Sequence, residues 1–414
     1  MTQSLTAKDA AKQVVIRLKQ AGHTAYWAGG CVRDLILRRE PKDYDVATSA
    51  VPGEIAGLFK RTRKVGMHFG VVIVGVSRHW IEVATFRTDA SYSDGRRPDA
   101  VTFSTPEEDA QRRDFTINGM FYDPTEDRII DYVGGQADLQ TGIIRAIGDP
   151  VLRIQEDRLR MLRAIRFAAR LGFEVEEGTF RAVAANAEHL KGVSEERIRE
   201  ELEMLLSDAN RQRGFDLLVS TGLIQSVFPE FKFEPTHLNL CHDIIGELPT
   251  DCSFTLPLSV LLSGEGSSMA GRTARRLTMS NESREKMAWL IDHQRRLDAP
   301  ADLDLADLKR LLAQPAFSDL RNWQASRAHY DSTLSEAVNE IQRRIDRIPA
   351  DTIAPPPLLT GSHLIRMRVP AGPEYKRILD AVYRAQLNEE ITSEPQAIAL
   401  AERLKDQPGD GLGA

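Results

Sequence analysis

Two features of the sequence predict an α+β fold: a small mixed sheet followed by helices almost throughout. Up to about residue 146, short β-branched runs alternate with short helical patterns; after Pro150 the apolar spacing is helical. At 414 residues the chain is too long for one ordinary core, so two to four domains are expected. Met1 to Gln20 reads as an amphipathic helix with Lys8, Lys12, Arg17 and Lys19, lacking the apolar core of a signal peptide. Thr24 to Ala28 reads as a strand running into Gly29-Gly30, and Pro52 to Lys60 as a helix. Val71 to Val76 and Trp80 to Phe86 read as strands joined in a hairpin by Ser77-Arg78-His79, and residues 88–101 as a polar loop. Helical patterns then cover 150–172, 176–190, 194–207 and 210–220, with Gly172 as a stop and Ser194 at a start. Pro355-Pro356-Pro357 precedes a last helical segment, and a short Gly-rich tail after Asp406 is expected to be disordered. No internal repeat is evident.

Composition narrows the class. The chain is 42% hydrophobic and 28% charged, as soluble globular proteins are. It has no run of about 18 apolar residues, so no membrane span is expected. Cys31, Cys241 and Cys252 show neither metal spacing nor a disulfide framework, which fits a reducing cytoplasm. The net charge of −6 is unusual for a nucleic-acid enzyme, but phosphate contacts depend on local patches. From Arg153 to Arg170 arginines far outnumber Glu156 and Asp157.

Three blocks carry chemistry. In the first, Gly29-Gly30 opens a helix, and Asp43-Tyr44-Asp45-Val46 puts two carboxylates two residues apart on a short apolar strand. Residues two apart on a strand project from one face, and paired anions repel unless a cation sits between them. The glycine turn lets backbone N–H groups approach a phosphate. A metal–nucleotide site for phosphoryl transfer follows, although a solvated Asp-x-Asp would look the same. Glu82, on an apolar strand, serves either as a third carboxylate of that site or as a salt-bridge partner of Arg87.

The second block is Arg112-Arg113-Asp114, followed by Phe115 to Met120. Asp114 is expected to cap a following helix, Arg113 to grip a triphosphate, and Asn118 to meet a ribose hydroxyl or stabilise a buried turn. The third runs from Glu156-Asp157-Arg158-Leu159-Arg160 to Gly172. Met161, Leu162, Ile165, Ala168 and Ala169 share a packing face, leaving Arg163, Arg166 and Arg170 on the far side. Asp157 and Arg160, three apart, fit either a helix-surface salt bridge or a base reader. In the second case Asp accepts from the amino group of cytosine or adenine, and Arg donates to the neighbouring acceptors. Uracil and guanine put a carbonyl where the amino group belongs, leaving buried groups unpaired.

In this order the blocks resemble the class II tRNA nucleotidyltransferase and bacterial poly(A) polymerase family, from Trp27 to about Pro229 and again over residues 360–400. The resemblance implies a nucleotidyltransferase head over 1–146, a helical neck over 147–222, a helical body over 223–300 and a helical, tRNA-binding tail over 301–414. It implies Mg²⁺ ligands at Asp43 and Asp45 with Glu82 beside them, and phosphate contacts at Gly30, Arg33 and Arg113. It implies a protein template at Asp157 and Arg160, with further nucleotide contacts at Arg163 and Arg166. The activity implied is addition of C, C and A to the tRNA 3′ end from CTP and ATP. The loop at Gly95-Arg96-Arg97-Pro98 is expected to help switch between C and A.

Poly(A)-forming relatives often carry an Arg-Arg-Phe-x-Leu-x-His-Val run, where this chain has Val65-Gly66-Met67-His68-Phe69-Gly70-Val71-Val72. That favours tRNA. An enzyme adding only the terminal A stays open, whereas an inactive RNA-binding protein would have lost Asp43, Asp45 or Asp157. Cys241-His242-Asp243 contains one His-Asp pair, but the stretch resembling the second reads Ser263-Gly264. The body is therefore expected to be a packing scaffold without phosphohydrolase activity. Arg366-Met367-Arg368, where relatives often have glycine, is a departure in the tail. The sequence sets no oligomeric state.

Overall fold

In the computed structural model, which describes residues 5–63, 70–89, 101–370 and 372–406, helix α1 (Ala7–Gln20) begins at a reciprocal cap. The Thr6 hydroxyl accepts from the Asp9 N–H at 3.1 Å, and the Asp9 carboxylate accepts from the Thr6 N–H at 3.3 Å. Ala10, Ala11, Val14, Val15 and Leu18 recur at helical spacing and are all buried. They pack across strands β1 (Ala25–Ala28) and β2 (Asp45–Thr48).

The next elements are α2 (Gly30–Ile36), α3 (Pro52–Leu58), β3 (Thr62–Arg63), β4 (Val71–Val76), β5 (His79–Thr85), β6 (Arg87–Asp89) and β7 (Val101–Phe103). Then come α4 (Pro106–Gln111), β8 (Phe121–Asp123) and β9 (Arg128–Ile130). Seven strands form one sheet in the order β3-β4-β5-β2-β1-β8-β9. Within it β2 and β5 run parallel, Val46 facing Val83, while β4 and β5 form the expected hairpin. The turn is shorter than expected: His79 already pairs with Val76, and Ser77 takes a positive φ of 52°.

Alternation gives the sheet two faces. Val72, Val74 and Val83 are fully buried towards α1 and α3, each worth about 1.5–3 kcal/mol relative to exposure. Ala47, Val71, Glu82 and Ala84 turn to the other face, which holds the site described below. Trp27 anchors the buried side, with the rings of Tyr44 and Tyr122 at 4.8 and 5.4 Å.

After α5 (Gly135–Thr141) the helical region starts with α6 (Pro150–Glu156) and α7 (Arg160–Leu171). The single helix expected over 150–172 is therefore two. Asp157 leaves helical geometry at φ −145°, ψ 103°, and its Oδ1 accepts the Leu159 N–H at 3.1 Å. Gly172 stops α7 in the left-handed region at φ 74°. Helices α8 (Glu177–Asn186), α9 (Glu195–Leu206) and α10 (Arg211–Ser220) follow the predicted pattern. Ser194 precedes α9, but its side chain makes no capping bond.

The chain forms two compact units, Met1–Glu234 with Arg276–Thr278, and Pro235–Arg275 with Met279–Ala414. The described part of the second is helical. Leu256, Leu258, Leu261, Leu290, Leu308, Leu320 and Trp323 are buried in it. Cys241 is buried there too, its thiol 3.4 Å from the His237 ring. Among the described residues beyond the triple proline lie three helices, not one segment: Gly361–Arg366, Pro373–Leu387 and Glu394–Asp406. They enclose their own cluster of Leu364, Ile378, Val382 and Ala397. Among the described residues no helix is long and apolar enough to cross a membrane. Gly95 to Pro98, Val65 to Phe69 and the tail beyond Asp406 lie outside the described residues.

Candidate active site

The open face of the sheet, α2 and α7 enclose a cavity of about 580 Å³ in the first unit. Eleven of the sequence-predicted residues line it: Gly29, Gly30, Arg33, Asp45, Glu82, Arg113, Asn118, Asp157, Arg160, Arg163 and Arg166. Asp43 does not. Strand β2 begins at Asp45, so the alternation expected to bring both aspartates to one face does not reach Asp43.

Asp43 is nevertheless close enough to matter electrostatically. Loss of hydration around the Asp45 carboxyl, then the charges of Glu82 and Asp43, push it up to about 6, and Arg113 offsets them only in part. Asp45 keeps open surface at the cavity mouth. Among the described residues no three carboxylate, imidazole or thiol groups converge at metal-binding spacing. Asp45 and Glu82 are a donor set of the hard kind: carboxylate oxygens whose mutual repulsion a divalent cation would relieve.

Gly29 is where the chain needs glycine. It turns at φ 73°, and a Cβ there would meet the Arg113 guanidinium at 3.1 Å. The turn starts α2, which carries Arg33 into the cavity wall. Arg33 is buried; it donates to Asn118 Oδ1 at 2.9 Å and to Asp34 at 2.8 Å. Arg113 is held by Asp109, whose other oxygen takes Arg112.

Asp114 is not a helix cap. Residues 116–118 form only a 3₁₀ turn, and the Asp114 carboxylate is buried, accepting from Phe115 N–H, Asn118 Nδ2 and Arg163. Burial alone would raise its carboxyl, but Arg163 and its hydrogen bonds outweigh that and hold it at about 2. A depressed carboxyl stabilises the fold above its unfolded value and loses that contribution as pH falls through the folded value. Asp114→Asn should therefore cost about 2 kcal/mol at pH 7, and the gap to wild type should close between pH 4 and 2 in urea titrations.

Helix α7 is buried on nearly every side, so the side opposite its apolar packing face, which carries Arg163 and Arg166, is packed as well. Arg166 pairs with buried Glu201 of α9 at 2.5 Å, and Arg163 spans Asp114 at 2.6 Å and Glu201 at 3.6 Å. Phe167 was missed as a site residue. Its ring lies 4.1 Å from the Arg166 guanidinium, 5.2 Å from that of Arg33 and 5.3 Å from that of Arg163, and it lines the cavity. An aromatic set among arginines at helical spacing was the available signal. Arg87, Arg112 and Arg170 also line the cavity.

The side chains of Asp157 and Arg160 are not paired with each other, although the Arg160 N–H donates to the Asp157 carbonyl at 3.0 Å. Asp157 Oδ2 accepts from Arg197 of α9 at 2.7 Å. Arg160 donates to Glu156 at 2.6 Å and to the carbonyls of Arg153 and Arg112 at 2.7 and 3.1 Å. These bonds use three of its five N–H groups, and both residues line the cavity.

Residues 25–145 match the Poly A polymerase head domain, and residues 172–234 match a probable RNA and SrmB-binding site of polymerase A. A CCA-adding enzyme of Geobacillus sp. is 47% identical over 211 residues, and that match spans about half of each protein, 51% of this chain and 52% of the relative. A CCA-adding enzyme of Lactobacillus gasseri is 33% identical over 403 residues, covering 94% of this chain and 95% of that one. The crystal structure of the Bacillus stearothermophilus CCA-adding enzyme in complex with CTP superposes with a TM-score of 0.77 at 29% identity, over 96% of this chain and 97% of that one. With near full-length similarity in both sequence and fold, the chain belongs to the family of CCA-adding enzymes.

Proposed function

We propose that this chain is a tRNA nucleotidyltransferase that adds C, C and A to the tRNA 3′ end from CTP and ATP, releasing pyrophosphate, with the protein as template. The observation that carries the reading is one cavity with carboxylates Asp45 and Glu82 on the sheet wall, and Asp157 and Arg160 among arginines on the helical wall. A relative 29% identical binds CTP, which supports the same assignment. In this reading residues 1–146 are the head, 147–222 the neck, 223–300 the body and 301–414 the tRNA-binding tail of a cytoplasmic enzyme.

Asp45 and Glu82, with Asp43 close by, are the residues that would hold Mg²⁺. When bound, the ion supplies a lowered pKa for the attacking 3′-hydroxyl and neutralisation of phosphate charge. The remaining work belongs to the chain. Arg33, Arg113 and Arg163 offer guanidinium groups to the triphosphate, their own carboxylate partners fixing them in place. Gly29 lets that region close on the nucleotide without a side chain in the way. Asp157 accepts the amino group of cytosine or adenine. The two spare N–H groups of Arg160 reach the ring acceptors.

The test is incorporation onto tRNA ending at the discriminator base, at C and at CC, with each NTP in turn. CMP, CMP and AMP should enter in that order, with UTP and GTP refused. Addition only to the CC-ended tRNA would mark an A-adding enzyme, and long A tails a poly(A) polymerase. Asp157→Ala should admit UTP and GTP, narrowing discrimination by about 10–100-fold. Unchanged selectivity would refute the protein template.

A further inference from the structure

The sheet face that carries Glu82 continues outward, beyond the cavity, into a basic and aromatic platform. Glu82 lies opposite Ile73 of β4, and Ile73 lies opposite Arg63 of β3. One row further out, Trp80 lies opposite Gly75, and the Gly75 N–H donates to the Arg61 carbonyl at 2.8 Å. Trp80 is two residues from Glu82, so both project from the same face about 7 Å apart.

The sequence makes room for this ring. A Cβ on Gly75 would meet the Trp80 ring at 3.0 Å, so glycine lets the indole lie down across β4. The Arg63 guanidinium stacks 3.9 Å from the ring centroid and that of Arg61 lies at 5.0 Å. Arg61 is tied to the Ser77 carbonyl. Trp80 still keeps 40% of its surface exposed, and both arginines are exposed. Among the described residues neither arginine has a carboxylate partner. None of the three lines the catalytic cavity.

A large aromatic left half open on a strand, held by two exposed cations, adds nothing to the core. It has the chemistry that single-stranded RNA binds: a π surface for a base and guanidinium groups for its phosphates. The attacking 3′-hydroxyl must reach the carboxylates at Asp45 and Glu82, so the strand carrying it has to cross a neighbouring surface. We infer that the Arg61–Trp80–Arg63 platform is the seat of the RNA acceptor strand, taking a base next to the 3′ terminus on the Arg63–Trp80 stack and a phosphate on Arg61 or Arg63. It deepens the tRNA reading above and rests on it.

The experiment uses the full chain and an acceptor minihelix ending in CC. Binding is read by fluorescence anisotropy of the labelled minihelix, and transfer by AMP incorporation. Trp80→Ala should weaken binding and raise the KM for the minihelix about tenfold, within the range of one lost base stack. The KM for ATP and kcat at saturating minihelix should stay within twofold, and Trp80→Phe should recover most of the loss. Arg63→Ala should lower the slope of log affinity against log salt by close to one phosphate contact, about 0.7. Trp80 fluorescence, taken as wild type minus Trp80→Phe, should change on adding the minihelix and so reports without any destabilising variant. Binding and KM within twofold of wild type in Trp80→Ala, with no fluorescence difference, would overturn the platform. Wild-type protein that binds the minihelix but transfers nothing would count against the enzymatic reading instead, leaving anisotropy to decide the platform.

Discussion

Asp45→Ala is expected to lower nucleotide incorporation at least about 1,000-fold with every tRNA end and with both CTP and ATP, since electrostatic stabilisation of the transferring phosphate is usually the largest catalytic term. The loss should not come from unfolding. Lost hydration, Glu82 and Asp43 together push the Asp45 carboxyl up to about 6, so its charged form is disfavoured in the fold. A raised carboxyl makes its favourable contribution at low pH and loses it as pH rises from the unfolded value through about 6. Removing it should therefore leave the thermal midpoint at pH 7.5 equal to or above that of wild type, as when a functional site is strained for its task. Binding of tRNA should persist. Substantial residual incorporation, or a midpoint well below wild type, would show that Asp45 is a structural residue.

Glu201→Ala should be the most damaging change to stability in the first unit. Its side chain is 5% exposed, its partner Arg166 is 6% exposed, and its other oxygen lies 3.6 Å from Arg163. Removing the acid leaves a buried guanidinium with no anion, at a cost of about 3–5 kcal/mol. Glu201→Gln, which keeps the shape and an acceptor, should cost less. Chemical unfolding followed through the first unit measures both. The effect should extend to catalysis, because Arg163 and Arg166 line the cavity and flank Phe167. A loss below about 1 kcal/mol would mean that solvent reaches Arg166.

Local pattern made a good deal of this legible. Gly29-Gly30 announced its turn, because only glycine is at ease at φ 73° with Arg113 so close. Gly172 marked the end of α7, and the β-branched runs around Ser77 marked the hairpin. These signals act within a few residues, where sterics and hydrogen bonding are set by neighbours in sequence.

The misreadings share one cause. The apolar spacing from Leu159 to Leu171 runs smoothly into the turn before it, so nothing local shows that the helix breaks at Asp157. Its carboxylate is instead taken by Arg197, forty residues on, and by the Leu159 N–H. The spacing places Arg166 on the side of α7 away from its packing face, and the pattern gives no sign of the Glu201 that meets it there from another helix. Asp114 looked like a cap until Arg163 claimed it, and Asp43 looked like a strand residue until pairing with β1 began only at Asp45.

The sequence by itself thus determined the class of chemistry, since carboxylates, a glycine turn and clustered arginines carry the same charge and hydrogen-bonding capacity in any fold. It also determined the succession of sheet and helices, which follows from the period of apolar residues. Only the tertiary structure decided which charges meet. Arg33 with Asn118, Arg163 with Asp114 and Arg166 with Glu201 are separated by 85, 49 and 35 residues. Partners that distant are selected by packing, because a buried charge must find its counter-charge wherever the fold brings one within reach.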